Sequence, residues 1–202
     1  MKNSEKYLLS FTAAGVMLNE SIKIAEEYLH LKDWEKVNSS YIETNLLQSR
    51  TSSRSQRVFQ EIKKRLTLLT VDQIETLVDG SIQDQKLILW FVICKCYQFV
   101  REFALEVIHE KFLSMNYQIS DLDYDGFFIK KTDWHPELDD LKPTTKLKLK
   151  TVLFRMLREV DILSKDHKII PVNPSKRIVD LIDKDGSVSL DIFPIFIGKN
   201  GG

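Results

Sequence analysis

The sequence predicts an all-α fold, a two-lobed helical globule with helix-turn-helix-like elements and at most one short β-hairpin. Three observations support this prediction. Apolar residues recur at the helical spacing i, i+4, i+7 along most of the 202-residue chain. Ser, Thr or Asp stands where several of these helices would begin. Apolar side chains make up 43% of the chain, which is enough for a substantial buried core.

The first half of the chain predicts a series of amphipathic helices. The first covers residues 16–31, and Asp33 is placed to cap the next. Ser53 and Thr70 each begin a capping-box pattern, with Gln three residues later. We therefore expect one helix to start at Arg54 and another just after Thr70.

The middle of the chain is predicted to form the centre of the core. Apolar residues occupy nearly all faces of the helical pattern that begins at residue 87 and thins out towards residue 115. Such a pattern is typical of helices that are surrounded by other helices. The acidic stretch that follows, residues 116–140, is a change in composition, and we place a boundary between lobes there.

The boundary divides the chain into an N-terminal helical lobe with a basic loop and helix, residues 1–117, and a C-terminal lobe with a tail, residues 118–202. In the second lobe, a short helix from Pro136, a turn and a longer helix over residues 144–160 resemble a helix-turn-helix. Residues 162–163 and 168–170 could pair as a hairpin. A helix, a turn, a second helix and a hairpin follow one another in this order in a winged helix. One more helix from Ser175 and an extended tail complete the prediction.

Charge, glycine content and hydropathy exclude several classes of protein. The 29 basic and 29 acidic residues balance, so any polyanion site must be a local patch. With 7 glycines the chain has no phosphate-binding loop or nucleophile elbow. The longest apolar run, residues 87–94, is far shorter than the roughly 20 residues of a membrane span. We expect a cytoplasmic protein with Cys94 and Cys96 as reduced thiols.

The sequence gives no positive sign of catalysis or metal binding. Residues 121–126 resemble the opening of an EF-hand loop, but Thr132 stands where calcium requires a bidentate carboxylate. These carboxylates are better explained as caps of a helix that begins near Ser120. The four histidines are scattered and fit no zinc-ligand spacing. We therefore expect no enzyme activity, no cofactor, no bound metal and no small-molecule substrate.

The first of two basic clusters combines arginines and lysines with small hydroxyls, the side chains that hydrogen-bond phosphate oxygens. A phosphate bound at the start of the helix predicted from Arg54 would also accept hydrogen bonds from the free backbone N–H groups of that helix. The alternative interpretation of this cluster is a solvated surface loop without a ligand. The candidate DNA-binding residues of this cluster are Arg50, Thr51, Ser53, Arg54, Arg57, Lys63 and Lys64.

The second basic cluster lies on the longer helix of the second lobe. Leu147 and Phe154 interrupt its polar face, which suggests a helix packed on two sides and less free to enter a DNA groove. A basic second helix followed by a wing still suits DNA binding. Its candidate DNA-binding residues are Lys146, Lys148, Lys150, Arg155 and Arg158.

Many short stretches, in order along nearly the whole chain, match the pattern of one known family. They include Ser10-Phe11-Thr12-Ala13, Asn45-Leu-Leu-Gln-Ser-Arg50-Thr51, Arg101-Glu-Phe103, Trp134-His135 and Val152-Leu-Phe-Arg-Met-Leu-Arg-Glu159. None is a catalytic motif. In these stretches the chain resembles the BrxA family of the BREX bacteriophage-exclusion defence systems. The resemblance implies an all-helical cytoplasmic protein that binds double-stranded DNA and works with other BREX proteins, and it carries over Arg50, Thr51, Arg155 and Arg158.

The sequence and the resemblance together predict a non-enzymatic, double-stranded-DNA-binding accessory protein of phage defence, with weak sequence preference. The main alternative is an interaction scaffold whose basic patches dock onto other subunits of a defence complex. RNA binding is a third interpretation. Neither cluster indicates a sequence specificity, because without a groove the side chains that read bases are not distinguished from those that hold phosphates.

Overall fold

The computed structural model describes residues 6–44 and 52–196. This part of the chain is mainly helical and contains no β-strand, which confirms the all-α prediction. A π-helical segment, Ala104–His109, joins two of the α-helices. The α-helices are α1 (Leu18–Leu31), α2 (Trp34–Thr44), α3 (Ser52–Leu66), α4 (Val71–Asp79), α5 (Ile82–Cys96), α6 (Gln98–Phe103), α7 (Glu110–Leu113), α8 (Asp121–Thr132), α9 (Pro143–Glu159) and α10 (Lys176–Asp185).

Local side-chain chemistry sets the starts of several helices. At α4, the Thr70 hydroxyl accepts the backbone N–H of Gln73, and the Gln73 side chain accepts the N–H of Thr70. At α2, the Asp33 carboxylate accepts the N–H of Glu35 at 2.8 Å. Both predicted caps are therefore confirmed. The predicted cap at Ser53 is wrong: α3 begins at Ser52, so Ser53 is already a helical residue and the predicted start is two residues late.

Helix α5 lies at the centre of the core. Its residues 87–94 are fully buried, because other elements cover every side of it. Trp90 is buried and donates its indole N–H to the carbonyl of Ile192 at 3.0 Å. Cys94 and Cys96 are free thiols, and burial raises the pKa of both.

The segments predicted to form a hairpin meet at an isolated antiparallel bridge, Leu163 to Ile169, and a second bridge joins Gln118 to Lys168. They do not extend into strands. The predicted extended tail contains a 3-10 helix, Leu190–Ile192, capped by Ser189. The helix-turn-helix, the two-lobed shape and the division at residue 118 stay predictions.

Candidate nucleic-acid interface

Helix α9 carries a basic surface that is open to solvent. Pro143 stands in its first turn, where the missing N–H costs nothing. One side of α9 buries apolar residues such as Leu149 and Leu153, and Phe154 is buried on another side. As expected from the sequence, the helix is thus packed on two sides. The remaining side, which we call the exposed face of α9, contains Lys148, Thr151 and Arg155, with Arg158 partly buried at its end.

The exposed face continues into the turn that follows α9. The guanidinium Nη1 of Arg158 lies 3.4 Å from Nε2 of His167. The backbone N–H of His167 bonds to the Ser164 carbonyl, which closes the turn, and Lys165 and Lys168 are exposed on it. Lys168 forms an ion pair with Asp166 at 3.4 Å. Basic side chains from a helix and from a turn therefore lie side by side.

Two of the predicted residues on α9 point to α8 instead. The Lys150 ammonium lies 3.0 Å from a carboxylate oxygen of Asp121 and 3.2 Å from one of Asp125. Burial alone would lower the pKa of Lys150, but these two carboxylates outweigh it and raise the pKa above its ordinary value. Lys146 lies over the ring of Phe128, with its ammonium 5.6 Å from the ring centroid. Protein groups therefore already engage both cations.

The basic cluster of α3 is only partly within the described residues. Arg50 and Thr51 lie outside them, and Ser53 and Arg54 contribute backbone to the first turn of α3. Arg57 is exposed.

Both lysines of this cluster are in ion pairs. Lys63 lies 2.8 Å from Glu35, across the interface between α3 and α2. Lys64 lies 2.9 Å from Glu61 and 2.7 Å from the hydroxyl of Ser10. A nucleic acid would have to compete with these partners.

Arg65 was not among the predicted site residues, and it is the buried member of the basic run on α3. Its side chain is 1% exposed and donates to the Gly15 carbonyl at 2.5 Å and to the Tyr97 hydroxyl at 3.4 Å. Burial lowers the pKa of Arg65, partly offset by the Glu61 carboxylate. Its place inside the run, flanked by the apolar positions 62 and 66, is the signal that could have marked it as buried.

The segment of residues 7–16, called here the linking segment, connects the two basic helices. On one side, Lys64 and Arg65 of α3 bond to Ser10 and to the Gly15 carbonyl. On the other side, Glu159 of α9 accepts the backbone N–H of Val16 at 3.0 Å. The two clusters thus flank one segment of backbone.

A cleft of about 570 Å³ opens between the end of the linking segment, the start of α1 and α9. Lys148, Val152, Arg155 and Glu159 form its α9 wall. The Arg155 guanidinium is 3.5 Å from Glu159, in an ion pair along the helix. Lys148 and Arg155 are therefore the two predicted residues that the structure brings together beside an open cleft.

The acidic stretch after residue 120 has the predicted structural role. The Ser120 hydroxyl accepts the N–H of Asp123, and the Asp123 carboxylate accepts the N–H of Ser120, which forms a capping box at the start of α8. Asp123 also pairs with Lys111 at 2.8 Å. Among the described residues, no three His, Cys, Asp or Glu side chains form a group that could hold a metal ion.

Nor does any described helix combine the length and the apolar character that crossing a bilayer requires.

The fold and this surface define an all-helical protein with an open basic surface on one helix face and an adjoining turn. Comparison with known proteins agrees at the level of the whole chain. The chain matches the BrxA family over residues 5–186, and it therefore belongs to that family.

Two relatives illustrate the match. The BREX protein BrxA of Bacillus cereus (strain H3081.97) is 27% identical over 163 residues, which cover 81% of this chain and 76% of that protein. The crystal structure of an uncharacterized protein from Magnetospirillum magneticum superposes with a TM-score of 0.81 at 19% identity. It covers 94% of this chain and 100% of that one, and at this identity the likeness concerns the fold alone.

Proposed function

We propose that this chain is a non-enzymatic accessory protein of a BREX phage-defence system that binds double-stranded DNA through the exposed face of α9. Membership of the BrxA family supports the assignment to a BREX system, and the Bacillus cereus relative is itself a BREX protein. The observation that carries the DNA proposal is the continuity of Lys148, Arg155 and Arg158 with the turn that holds Lys165 and His167.

The spacing of these groups suits a phosphate backbone. Lys148 and Arg155 are seven residues apart, a rise of about 10 Å along the helix, comparable to the width of the major groove. Thr151 lies between them and is exposed, and its hydroxyl donates to the Leu147 carbonyl at 2.9 Å. Charged side chains that contact phosphates position a duplex without reading its sequence, so we expect weak sequence preference.

The other predicted residues contribute less in this proposal, because they are held in closer pairs or over an aromatic ring, whereas Arg155 is 3.5 Å from Glu159 and both of those side chains are nearly half exposed. Lys146 and Lys150 interact with α8, and Lys63 and Lys64 with Glu35 and Glu61. Separating such a pair to contact a phosphate exchanges one charge interaction for another. The net gain in affinity is therefore smaller than for a cation that faces solvent.

A second candidate function is an interaction scaffold for other BREX proteins. One observation favours it: α8 exposes Leu122 at 80% and Ile129 at 66%, two turns apart on the same side of the helix. Exposed apolar clusters of this kind mark protein-binding surfaces. The two functions use different surfaces and are compatible.

Duplex binding by fluorescence anisotropy tests the DNA proposal. We expect wild-type affinity to fall steeply as salt is raised, because bound phosphates release counterions. The variant Lys148→Ala/Arg155→Ala should bind unrelated duplexes more weakly by a similar factor, and its salt slope should be shallower by about one unit for each phosphate that the variant no longer neutralises. The variant Arg50→Ala/Arg54→Ala/Arg57→Ala tests the first cluster in the same way.

The matched control removes two exposed cations elsewhere, with Lys176→Ala/Lys184→Ala on α10. It changes the net charge equally and should leave the affinity nearly unchanged. No duplex binding by the wild type at about 50 mM salt, where such contacts are strongest, would contradict the DNA proposal and leave the scaffold. Equal reductions in affinity for the test and control variants would contradict the assignment to α9.

A further inference from the structure

Glu159 is a carboxylate inside the basic surface that includes Lys148 and Arg155. All three side chains line the cleft of about 570 Å³ between α9, the linking segment and α1, and Glu159 is 41% exposed. A negative charge at this place would by itself repel a phosphate backbone. The contacts of Glu159 indicate a different role.

The two carboxylate oxygens of Glu159 have different partners. One of them, Oε2, accepts the backbone N–H of Val16 at 3.0 Å. The other, Oε1, lies 3.5 Å from Nε of Arg155. Because Val16 is buried, the first contact fixes the carboxylate against the body of the protein, and the second brings Arg155 to a fixed partner.

The Arg155 guanidinium is thereby held from two sides. Glu159 lies beside its Nε, and its Nη2 lies close to the backbone of Gly15, 2.9 Å from the position that a Cβ would occupy. A side chain at residue 15 would push the guanidinium away from this place. The carboxylate of Glu159 and the missing side chain of Gly15 together define one position for the guanidinium, at the wall of the open cleft.

In this position Arg155 can bind a phosphate without leaving Glu159. An arginine carries N–H donors on Nε and on both Nη atoms, and the contact with Glu159 is made at Nε. The donors on the two Nη atoms can therefore bind phosphate oxygens at the same time. Lys150 differs, because its single ammonium is directed at Asp121 and Asp125.

We propose that Glu159 is a positioning residue for DNA binding, which holds Arg155 ready for a phosphate and so strengthens the binding of a polyanion despite its own negative charge. This inference rests on the proposed function. A side chain that is ordered before binding improves affinity by about two- to ten-fold, because the complex does not have to order it. The repulsion between Glu159 and phosphates is weaker, because water and salt screen a charge that is 41% exposed.

The duplex affinity of Glu159→Gln, measured by fluorescence anisotropy in the wild-type and the Arg155→Ala backgrounds, tests the proposal. Glutamine has nearly the same shape, but an NH₂ donor replaces one of the two oxygens, so the contact with either Val16 or Arg155 is lost. Although the substitution removes a negative charge, we expect it to weaken binding by about two- to five-fold. In the Arg155→Ala background it should leave the affinity unchanged or raise it.

The matched control is Glu20→Gln, which removes the same charge from the α1 side of the same cleft, whereas Arg155 pairs with Glu159. It should raise the affinity slightly in both backgrounds. Gly15→Ala approaches Arg155 from its other side and should also weaken binding, since the added Cβ displaces the guanidinium. Circular dichroism of each variant establishes that it is folded under the conditions of the binding assay.

Three outcomes would overturn the proposal. Tighter binding by Glu159→Gln in the wild-type background would show that Glu159 acts only as a repelling charge. Equal weakening in both backgrounds would show a structural role that does not pass through Arg155. Both of these results leave the proposed function intact, whereas a wild type that binds no duplex overturns the proposed function and this inference with it.

Discussion

Gly15 is the residue on which the linking segment turns. Its backbone has φ of +66°, a left-handed conformation, and its carbonyl accepts the bond from buried Arg65. A Cβ there would lie 2.9 Å from the Arg155 guanidinium. Gly15 thus contacts α3 through its carbonyl, and its lack of a side chain leaves room for Arg155 of α9.

Gly15→Ala should lower the free energy of unfolding by about 1–2 kcal/mol, the cost of the left-handed conformation for a residue with a Cβ. The flexible Arg155 side chain can move aside, so the backbone conformation of residue 15 determines whether the substitution stabilises or destabilises the protein. Denaturant unfolding followed by circular dichroism measures the change.

The same substitution at Gly126 provides a contrast. Gly126 lies within α8 and has open space where a Cβ would go, so Gly126→Ala should stabilise the protein by about 0.5–1 kcal/mol through helix propensity. A Gly15→Ala protein as stable as the wild type would contradict the conformational argument for Gly15, and a destabilised Gly126→Ala protein would contradict the helix-propensity argument for Gly126.

At the scale of elements, a partly buried charge network holds the linking segment and α8 against the helix of residues 98–113. The Lys131 ammonium lies 2.6 Å from Glu102 and also contacts Glu106. Tyr7 donates its hydroxyl to Glu102, and its ring stacks on His135 with centroids 3.7 Å apart. Burial raises the pKa of Tyr7 and these carboxylates raise it further, which keeps the hydroxyl protonated as a donor.

This network predicts a decrease in stability in acid. Burial alone would raise the pKa of Glu102, but the hydrogen bonds from Lys131, Tyr7 and Gln98 outweigh it and hold the pKa below its ordinary 4.5. A carboxylate with a lowered pKa in the folded state stabilises the fold above pH 4.5, and this contribution disappears as pH falls through the lowered value.

Denaturation midpoints measured from about pH 7 to about pH 3 test this expectation. Glu102→Gln should be less stable than the wild type near neutrality, because Lys131 loses a charged partner, and its stability should decrease less on acidification. Glu75→Gln on α4 is a useful control, because Glu75 is exposed and lies outside this network, so the substitution should leave the acid profile almost unchanged. Parallel profiles for the wild type and Glu102→Gln would show that Glu102 does not contribute to acid sensitivity.

The elements themselves were largely predictable, because their determinants are local. Thr70, Asp33 and Ser120 cap helices through residues two or three positions away, and such patterns are visible in one sequence. The start of α3 was misplaced because Ser52, Ser53 and Ser55 all offer a cap, and local pattern alone does not choose among them.

The site was less predictable, because its pairings join distant parts of the chain. Lys63 meets Glu35 from 28 residues away, and Val16 meets Glu159 from 143 residues away. A run of lysines and arginines in a sequence does not show which of them pair with a carboxylate from a distant part of the chain. Whether a cation faces solvent or a carboxylate is a property of packing, as Lys148 and Lys150 of the same helix demonstrate.

At the scale of the whole molecule, the last described residues complete the core that α5 begins. Ile192 and Phe193 are fully buried, and the Ile192 carbonyl accepts the Trp90 indole N–H. This contact crosses the division predicted at residue 118. The two predicted lobes therefore share core contacts, and we expect one cooperative unfolding transition.

Phe193→Ala should lower the free energy of unfolding by about 3–5 kcal/mol, since it removes a fully buried ring. The matched control is Phe196→Ala, three residues further on and 71% exposed, which should change stability little. Chemical denaturation monitored by tryptophan fluorescence measures both. A small effect of Phe193→Ala would show that the C-terminal residues are only loosely attached to the core.

The bond between Trp90 and Ile192 also has a consequence for how the chain is made. A ribosome extends a polypeptide from its N-terminus at about 5–20 residues per second, so the roughly 100 residues between these partners take several seconds to appear. During that interval α5, the most apolar helix, has no Ile192 or Phe193 to cover it. Nascent chains stalled before this point should expose apolar surface, and they are the form of the protein in which we expect chaperones to bind.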